Sequence, residues 1–219
     1  MTAPYGFKFA HTFDGSGTSA VKILPVSSPG TGGLVVGDPV TVASGFARLA
    51  LGGESDYGVV CGLGKNTGAV QSIGIGGNLT NSLDPYVNSI GASDTGYVAV
   101  MPADNAVFRT VLGGVHDGGT IPASRLAAIG TSIDIANAVS GSPVELSAAA
   151  AHATNGVSKL CAAVDGSTPS GDLIIQGFAA TGGSLTTRSI PSPYNPTTAT
   201  SVAGDELFVT FVNVQHNPV

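Results

Sequence analysis

Asp94-Thr95-Gly96 is the segment of this chain nearest in residue type to a catalytic device. A carboxylate in that triplet serves acid peptide hydrolysis when a second one lies against it and the two share a proton. That chemistry needs an apolar strand leading into the aspartate. Here Ile90-Gly91-Ala92-Ser93 precedes it and the apolar run Tyr97-Val98-Ala99-Val100-Met101 follows, so a β-turn opening into a strand accounts for the triplet. Ser19-Ala20-Val21-Lys22 has the Ser-x-x-Lys spacing that brings a lysine to a serine hydroxyl at a helix start, but it lies in alternating, strand-like sequence without Ser-Asp-Asn or Lys-Thr-Gly companions. In Gly62-Leu63-Gly64-Lys65-Asn66-Thr67-Gly68, Val59 and Asn66 stand where a phosphate loop needs a glycine and a hydroxyl residue, so this segment reads as a glycine-rich turn after a strand. His11, His116, His152 and His216 are too dispersed for a zinc spacing, and His116-Asp117 reads as a solvated turn. Cys61 and Cys161 sit in apolar settings and are expected as two buried thiols rather than a disulfide. No nucleophile, base and oxyanion donor assemble into one arrangement. Neither catalysis nor any metal or cofactor is expected.

The elements that must carry these residues are short. β-like runs broken by Gly, Pro, Asn and Asp recur from end to end, which predicts an all-β chain with a β-barrel or β-sandwich core. Strands are expected over 20–26, 39–43, 57–63, 97–101, 106–112, 173–178 and 207–215. In the last, Phe208, Thr210, Val212 and Val214 share one face and Val209, Phe211, Asn213 and Gln215 the other, which predicts a strand lying over a core. At most two short helices are expected, over 123–129 with Ser124 as its cap and over the alanine run 147–153. The segment 113–119 reads as a flexible connector. The tract 179–204, rich in Ser, Thr and Pro, reads as a long extended arm, because loops of such length in a compact domain bind something or stay unstructured. The whole of 1–219 is expected to form one β-rich domain, with an extended N-terminal segment at 1–16 and no internal repeat.

Charge is scarce: the 219 residues include eight basic and fourteen acidic ones, against 32 glycines, with a net charge of −6. Free globular domains draw about a quarter of their residues from Asp, Glu, Lys and Arg, so part of this surface is expected to be covered by other protein. The basic residues are scattered singly, and phosphate-backbone binding requires cations gathered on one face. Nucleic acid is therefore not an expected partner. The first residues lack the apolar core of an export signal, and no run approaches the roughly 18 apolar residues of a membrane span, so no membrane association is expected.

Five segments bear on function together. Pro4-Tyr5-Gly6-Phe7-Lys8, His11 and Asp14-Gly15-Ser16 are followed by the strand-like Val21-Lys22-Ile23-Leu24-Pro25-Val26, then Gly37-Asp38-Pro39-Val40, then Tyr57-Gly58-Val59-Val60. At the far end Asp205-Glu206-Leu207-Phe208-Val209 runs through Val212 and Val214 to Gln215-His216-Asn217. In this order the segments resemble the decoration, or cement, proteins of tailed bacteriophage heads. Those chains open on a Tyr-Gly-Phe-Arg-Pro stretch, turn at Gly-Asp-Pro-Val and close on a strand with a His-containing tail. The resemblance covers residues 1–60 and 205–219 well and the middle loosely. Phe9-Ala10 departs from the Pro-Val usual in the family, and the tract 179–204 is this chain's own.

The resemblance implies a β-tulip-like core and a homotrimer seated on the outer capsid surface of the virion, where it clamps neighbouring subunits of the major capsid protein and stabilises the head. The implied action is adhesive. Tyr5, Phe7, Phe9, His11 and Phe13 lie on an extended segment that could add to the capsid surface as a strand, or could form an edge strand of the protein's own core. Tyr194, within the tract 179–204, could anchor on a sister subunit or be an ordinary surface tyrosine. Two other readings stay open at this stage: a different phage structural component, such as a tail-tube, head-tail joining or fibre-base protein, and an aspartic-type protease built on Asp94.

Overall fold

The computed structural model describes residues 6–14, 21–27, 33–50, 53–65, 77–78, 89–116, 124–139, 142–145, 158, 160–165, 171–180 and 205–216. In chain order the strands are β1 (Lys8–Thr12), β2 (Lys22–Ser27), β3 (Pro39–Ala43), β4 (Phe46–Leu49), β5 (Gly58–Lys65), β6 (Gly77–Asn78), β7 (Thr95–Pro102) and β8 (Ala106–His116). A single helical turn, α1 (Arg125–Ala128), precedes β9 (Ser132–Val139), β10 (Ser142–Glu145), β11 (Leu160–Asp165), β12 (Leu173–Ala180) and β13 (Glu206–Phe211). The fold is all-β, in two sheets.

Sheet one orders its strands β1-β8-β11-β9-β12-β13, with β10 on β9. β13 also pairs back onto β8, so the ladder closes on itself through β8, β11, β9, β12 and β13. The parallel pair β8–β11 is the exception in this otherwise antiparallel sheet. Sheet two orders its strands β2-β7-β5-β3-β4, with β6 beside β5. Local sequence explains its tightest hairpin: Ser44 and Gly45 both take positive φ, 52° and 81°, between the paired residues Ala43 and Phe46. That two-residue turn has the backbone twist that matches twisted antiparallel strands.

One cluster of buried apolar side chains draws on both sheets. Val26, Val40, Leu63, Val98 and Val100 enter it from sheet two, Leu34 from the segment before β3, and Phe108, Leu112, Leu160, Leu173, Leu207 and Val209 from sheet one. In β13 the alternation works as the two-residue period requires, with Leu207, Val209 and Phe211 buried. The strand stops at Phe211, short of the expected 215. Asn213 and Gln215 instead exchange backbone bonds with Asp56, in the loop between β4 and β5, from Asp56 N–H to the Asn213 carbonyl and from Gln215 N–H to the Asp56 carbonyl, both 2.8 Å.

Each of the other expected strands is found within a few residues of its position. Two expectations are corrected. The connector assigned to 113–119 is strand as far as His116, because Val115 and His116 pair with Val164 and Asp165 of β11. The turn assigned to 62–68 is strand as far as Lys65, where β5 pairs with β7 and a Cβ at Gly96 of β7 would strike the Gly64 carbonyl oxygen. β4, β6, β9, β10 and β11 were not among the expected strands. Cys161, Ala162 and Ala163 of β11 are small residues with weak strand propensity, buried on both faces between β8 and β9. The helix expected over 123–129 is present as α1, with Ser124 Oγ accepting the Ala127 N–H at 3.1 Å. The alanine run 147–153 and residues 181–204 of the expected arm lie outside the described residues.

Candidate functional site

The N-terminal aromatic segment is divided by a β-bulge. β1 runs antiparallel to β8, with Phe9 opposite Phe108 but His11 opposite Val107, so Ala10 is the extra residue. An extra residue reverses which side chains face the core. Phe7, ahead of the bulge, is 2 % exposed, and Phe9 is partly buried against the same core. Beyond it Thr12 turns inward, while His11 and Phe13 face solvent, Phe13 at 59 % exposure. The segment is therefore an edge strand of the protein's own core, one of the two readings of the sequence, and Phe7 is buried within that core. Its ring lies 5.5 Å from that of Phe211, which meets Phe108 edge-on at 5.4 Å, and Phe9 meets Phe108 edge-on at 6.3 Å. His11 stacks edge-on against Phe208 at 5.7 Å. Tyr5 and Tyr194 lie outside the described residues.

β1 is the end strand of its sheet, paired with β8 along one side. Among the described residues no strand pairs with its other side. β1 thus stands at the edge of the described sheet beside the exposed His11 and Phe13, the position at which an added strand joins a sheet.

The short motifs of the sequence converge on one junction behind this strand. Gly6 donates its N–H to the Leu160 carbonyl at 2.7 Å and Phe7 donates to the Gly37 carbonyl at 2.9 Å. Gly37 in turn donates to the Val60 carbonyl at 2.8 Å, and Val60 to that of Asp38 at 2.9 Å. Gly6 has φ of +96°, and a Cβ there would lie 3.0 Å from Ser158 Cβ and 3.4 Å from Gly37 Cα, so only glycine fits without strain. Gly58 is held to glycine for a different reason, since a Cβ would strike the Met101 carbonyl oxygen across the β5–β7 ladder. The Tyr-Gly-Phe, Gly-Asp-Pro-Val and Tyr-Gly-Val-Val segments therefore serve to join the two sheets.

Asp38 is fully buried at this junction and accepts the Val35 N–H on Oδ2 at 2.9 Å. Burial pushes its carboxyl up to about 7, against the lowering effect of hydrogen bonds from Ser158 and Val35. A different buried carboxylate, Asp205, receives a two-pronged pair from Arg125, Nε to Oδ2 at 3.0 Å and Nη2 to Oδ1 at 2.9 Å. The Arg125 guanidinium also lies 5.8 Å from the centre of the Phe178 ring. This geometry ties α1 to the entry of β13.

The residues considered for catalysis stay apart. Asp94 accepts the Gly91 N–H at 3.2 Å while its own N–H donates to the Gly91 carbonyl at 3.0 Å, so Asp94 closes a turn from which Thr95 and Gly96 open β7. Lys22 opens β2, and Ser19 lies outside the described residues. Both cysteines are free; Cys61 Sγ contacts the Ala99 carbonyl at 3.3 Å, and burial pushes the Cys161 thiol up to about 12, far from a reactive thiolate. Among the described residues no three His, Cys, Asp or Glu side chains are grouped to hold a metal ion.

A second exposed apolar surface escaped the sequence reading. Ile23 is 51 % exposed on β2, and Tyr97, 41 % exposed on β7, stands opposite Pro25. In Ile23-Leu24-Pro25-Val26 both alternating faces are apolar, so periodicity alone does not tell which one meets the core. No family model matches the chain, and no curated protein or solved structure does either.

Proposed function

We propose that the chain is a capsid decoration protein, a non-enzymatic adhesive that binds the outer surface of a phage head as a homotrimer and reinforces the lattice of major capsid protein. The observation that carries this reading is the end strand β1, with one side unpaired among the described residues and with His11 and Phe13 turned outward. Added-strand contact supplies directional backbone hydrogen bonds, and an exposed aromatic beside it supplies a desolvated anchor. The low charge of the chain fits a surface meant for protein. A threefold assembly multiplies a modest contact by avidity and leaves an acidic exterior with little attraction for nucleic acid.

The test joins mass measurement with pelleting. Purified protein is expected to sediment as a trimer and to co-pellet with empty, expanded shells assembled from the major capsid protein encoded in the same genome. Phe13→Ser is expected to weaken shell binding about ten- to hundredfold, the range of a buried aromatic anchor, while leaving the trimer and its melting temperature in place. A monomer indifferent to shells would overturn the reading, and a sixfold ring would move it to the tail tube.

A further inference from the structure

Asp56 lies where the two sheets are laced together. The loop between β4 and β5 brings it against the residues that follow β13. Its backbone exchanges 2.8 Å hydrogen bonds with Asn213 and Gln215, and it forms an isolated parallel bridge with Val214. Beside it Gly53 donates its N–H to Asp172 Oδ1 at 2.8 Å, and Val212 donates to the Asp172 carbonyl at 2.9 Å. The seam closes on the Gln215 side chain, whose amide pairs with β3 as a backbone would: Val42 N–H donates to Oε1 at 2.9 Å, and Nε2 donates to the Val42 carbonyl at 3.0 Å.

Asp56 is 2 % exposed, and its Oδ1 has no hydrogen-bond partner among the described residues. Among the described residues, the charged groups that act on it are acidic. Asp172, 6 % exposed, comes from the segment before β12, and Glu54 from Asp56's own loop. Arg48 of β4 is engaged by Glu54 at 2.6 Å, and His216, at the end of the closing segment, lies toward Asp104 at 3.6 Å. A carboxylate held out of water beside two like charges is stable only in its neutral form.

We propose that this seam is a proton-dependent latch, in which Asp56 is held protonated between the sheets and its ionisation releases residues 212–216 from sheet two. Loss of the proton to solvent leaves a negative charge in the seam, repelled by Asp172 and Glu54. Parting the Asp56–Asn213, Asp56–Gln215 and Gln215–Val42 contacts brings that charge into water. Burial, reinforced by Asp172 and then Glu54, lifts the Asp56 carboxyl to about 8 in the closed form. An opened form with an ordinary carboxyl binds the proton less tightly, so opening becomes easier as pH climbs from about 4 to about 8 and levels off above. The reopened edge of β3 at Val42 would be the surface exposed in the alkaline state.

Hydrogen exchange on the intact chain reads the latch directly. After correction for the base-catalysed rise common to all amides, the opening equilibrium of the Asp56 and Gln215 amides is expected to increase at least tenfold between pH 5 and pH 7, while core amides such as Val209 do not follow. In Asp56→Asn the seam amides should lose that dependence. An unchanged dependence in the variant, or none in the parent, would overturn the proposal. Should Asp56→Asn fail to fold, carbon NMR titration of the parent carboxyls decides. An Asp56 midpoint near 8 that falls in Asp172→Asn supports the latch, and an Asp56 already ionised at pH 6, or a midpoint unmoved by Asp172→Asn, refutes it.

Discussion

Phe7 and Phe13 are six residues apart in one segment, yet they differ in consequence because a single extra residue, Ala10, turns the strand over between them. Phe7→Ala removes a ring packed on Phe211 and leaves a cavity, so a loss of about 3–5 kcal/mol is expected in denaturant unfolding. Phe13→Ala is expected to shift the same midpoint by less than about 0.5 kcal/mol, since its ring already faces water. Arg125 supplies a second contrast. Its guanidinium is the partner of a carboxylate with no exposed surface, so Arg125→Met strands the Asp205 charge and should cost about 3–5 kcal/mol. Replacing both as Arg125→Met with Asp205→Leu should recover much of that loss, because the expensive species is the unpaired buried ion.

Among the elements, the closing segment after β13 depends least on regular pairing and most on side chains. Gln215 caps the open side of β3 through both its amide oxygen and its amide nitrogen. Gln215→Ala leaves the Val42 N–H and carbonyl without these partners, and a loss of about 1–3 kcal/mol is expected, read as a lower melting temperature together with faster exchange at Val42. Gln215→Glu keeps one acceptor but brings a further negative charge toward Asp56 and Asp172, and its defect should grow with pH. α1 is only one turn long and cannot persist by helix propensity. It is held by the Ser124 cap and by Arg125, so Ser124→Ala is expected to cost about 1 kcal/mol.

For the molecule as a whole, two buried acids link folding to protons. Asp38 and Asp56 bind their protons more tightly in the folded chain than in the unfolded one, with values of about 7 and about 8 against an ordinary carboxyl near 4. Folding therefore takes up protons. Their contribution to stability is fully present below about 4, where both states are protonated and the pH dependence vanishes, and it is lost as pH rises toward 7 and 8. Calorimetry should show the melting temperature of Asp38→Asn/Asp56→Asn gaining on that of the parent as pH is raised from 5 to 8. A constant gap would mean that these carboxyls ionise normally inside the fold.

Most strands could be read from the chain because their information is local: β-branched and aromatic residues at alternating positions, ended by Gly, Pro, Asn or Asp, as in 39–43, whose boundaries coincide with β3. The Ser124 cap was equally legible, since a side chain bonding three residues ahead needs no distant partner. β11 was not, because Cys161, Ala162 and Ala163 become strand only between two neighbours that arrive from elsewhere in the sequence. The same holds for the junction of Gly6, Gly37 and Val60 and for the burial of Asp56 against Asp172, residues separated by more than a hundred positions. Local order is written in adjacent residues. Which apolar face is hidden, where a bulge reverses it, and which carboxyl loses its water depend on chain segments that meet only after folding.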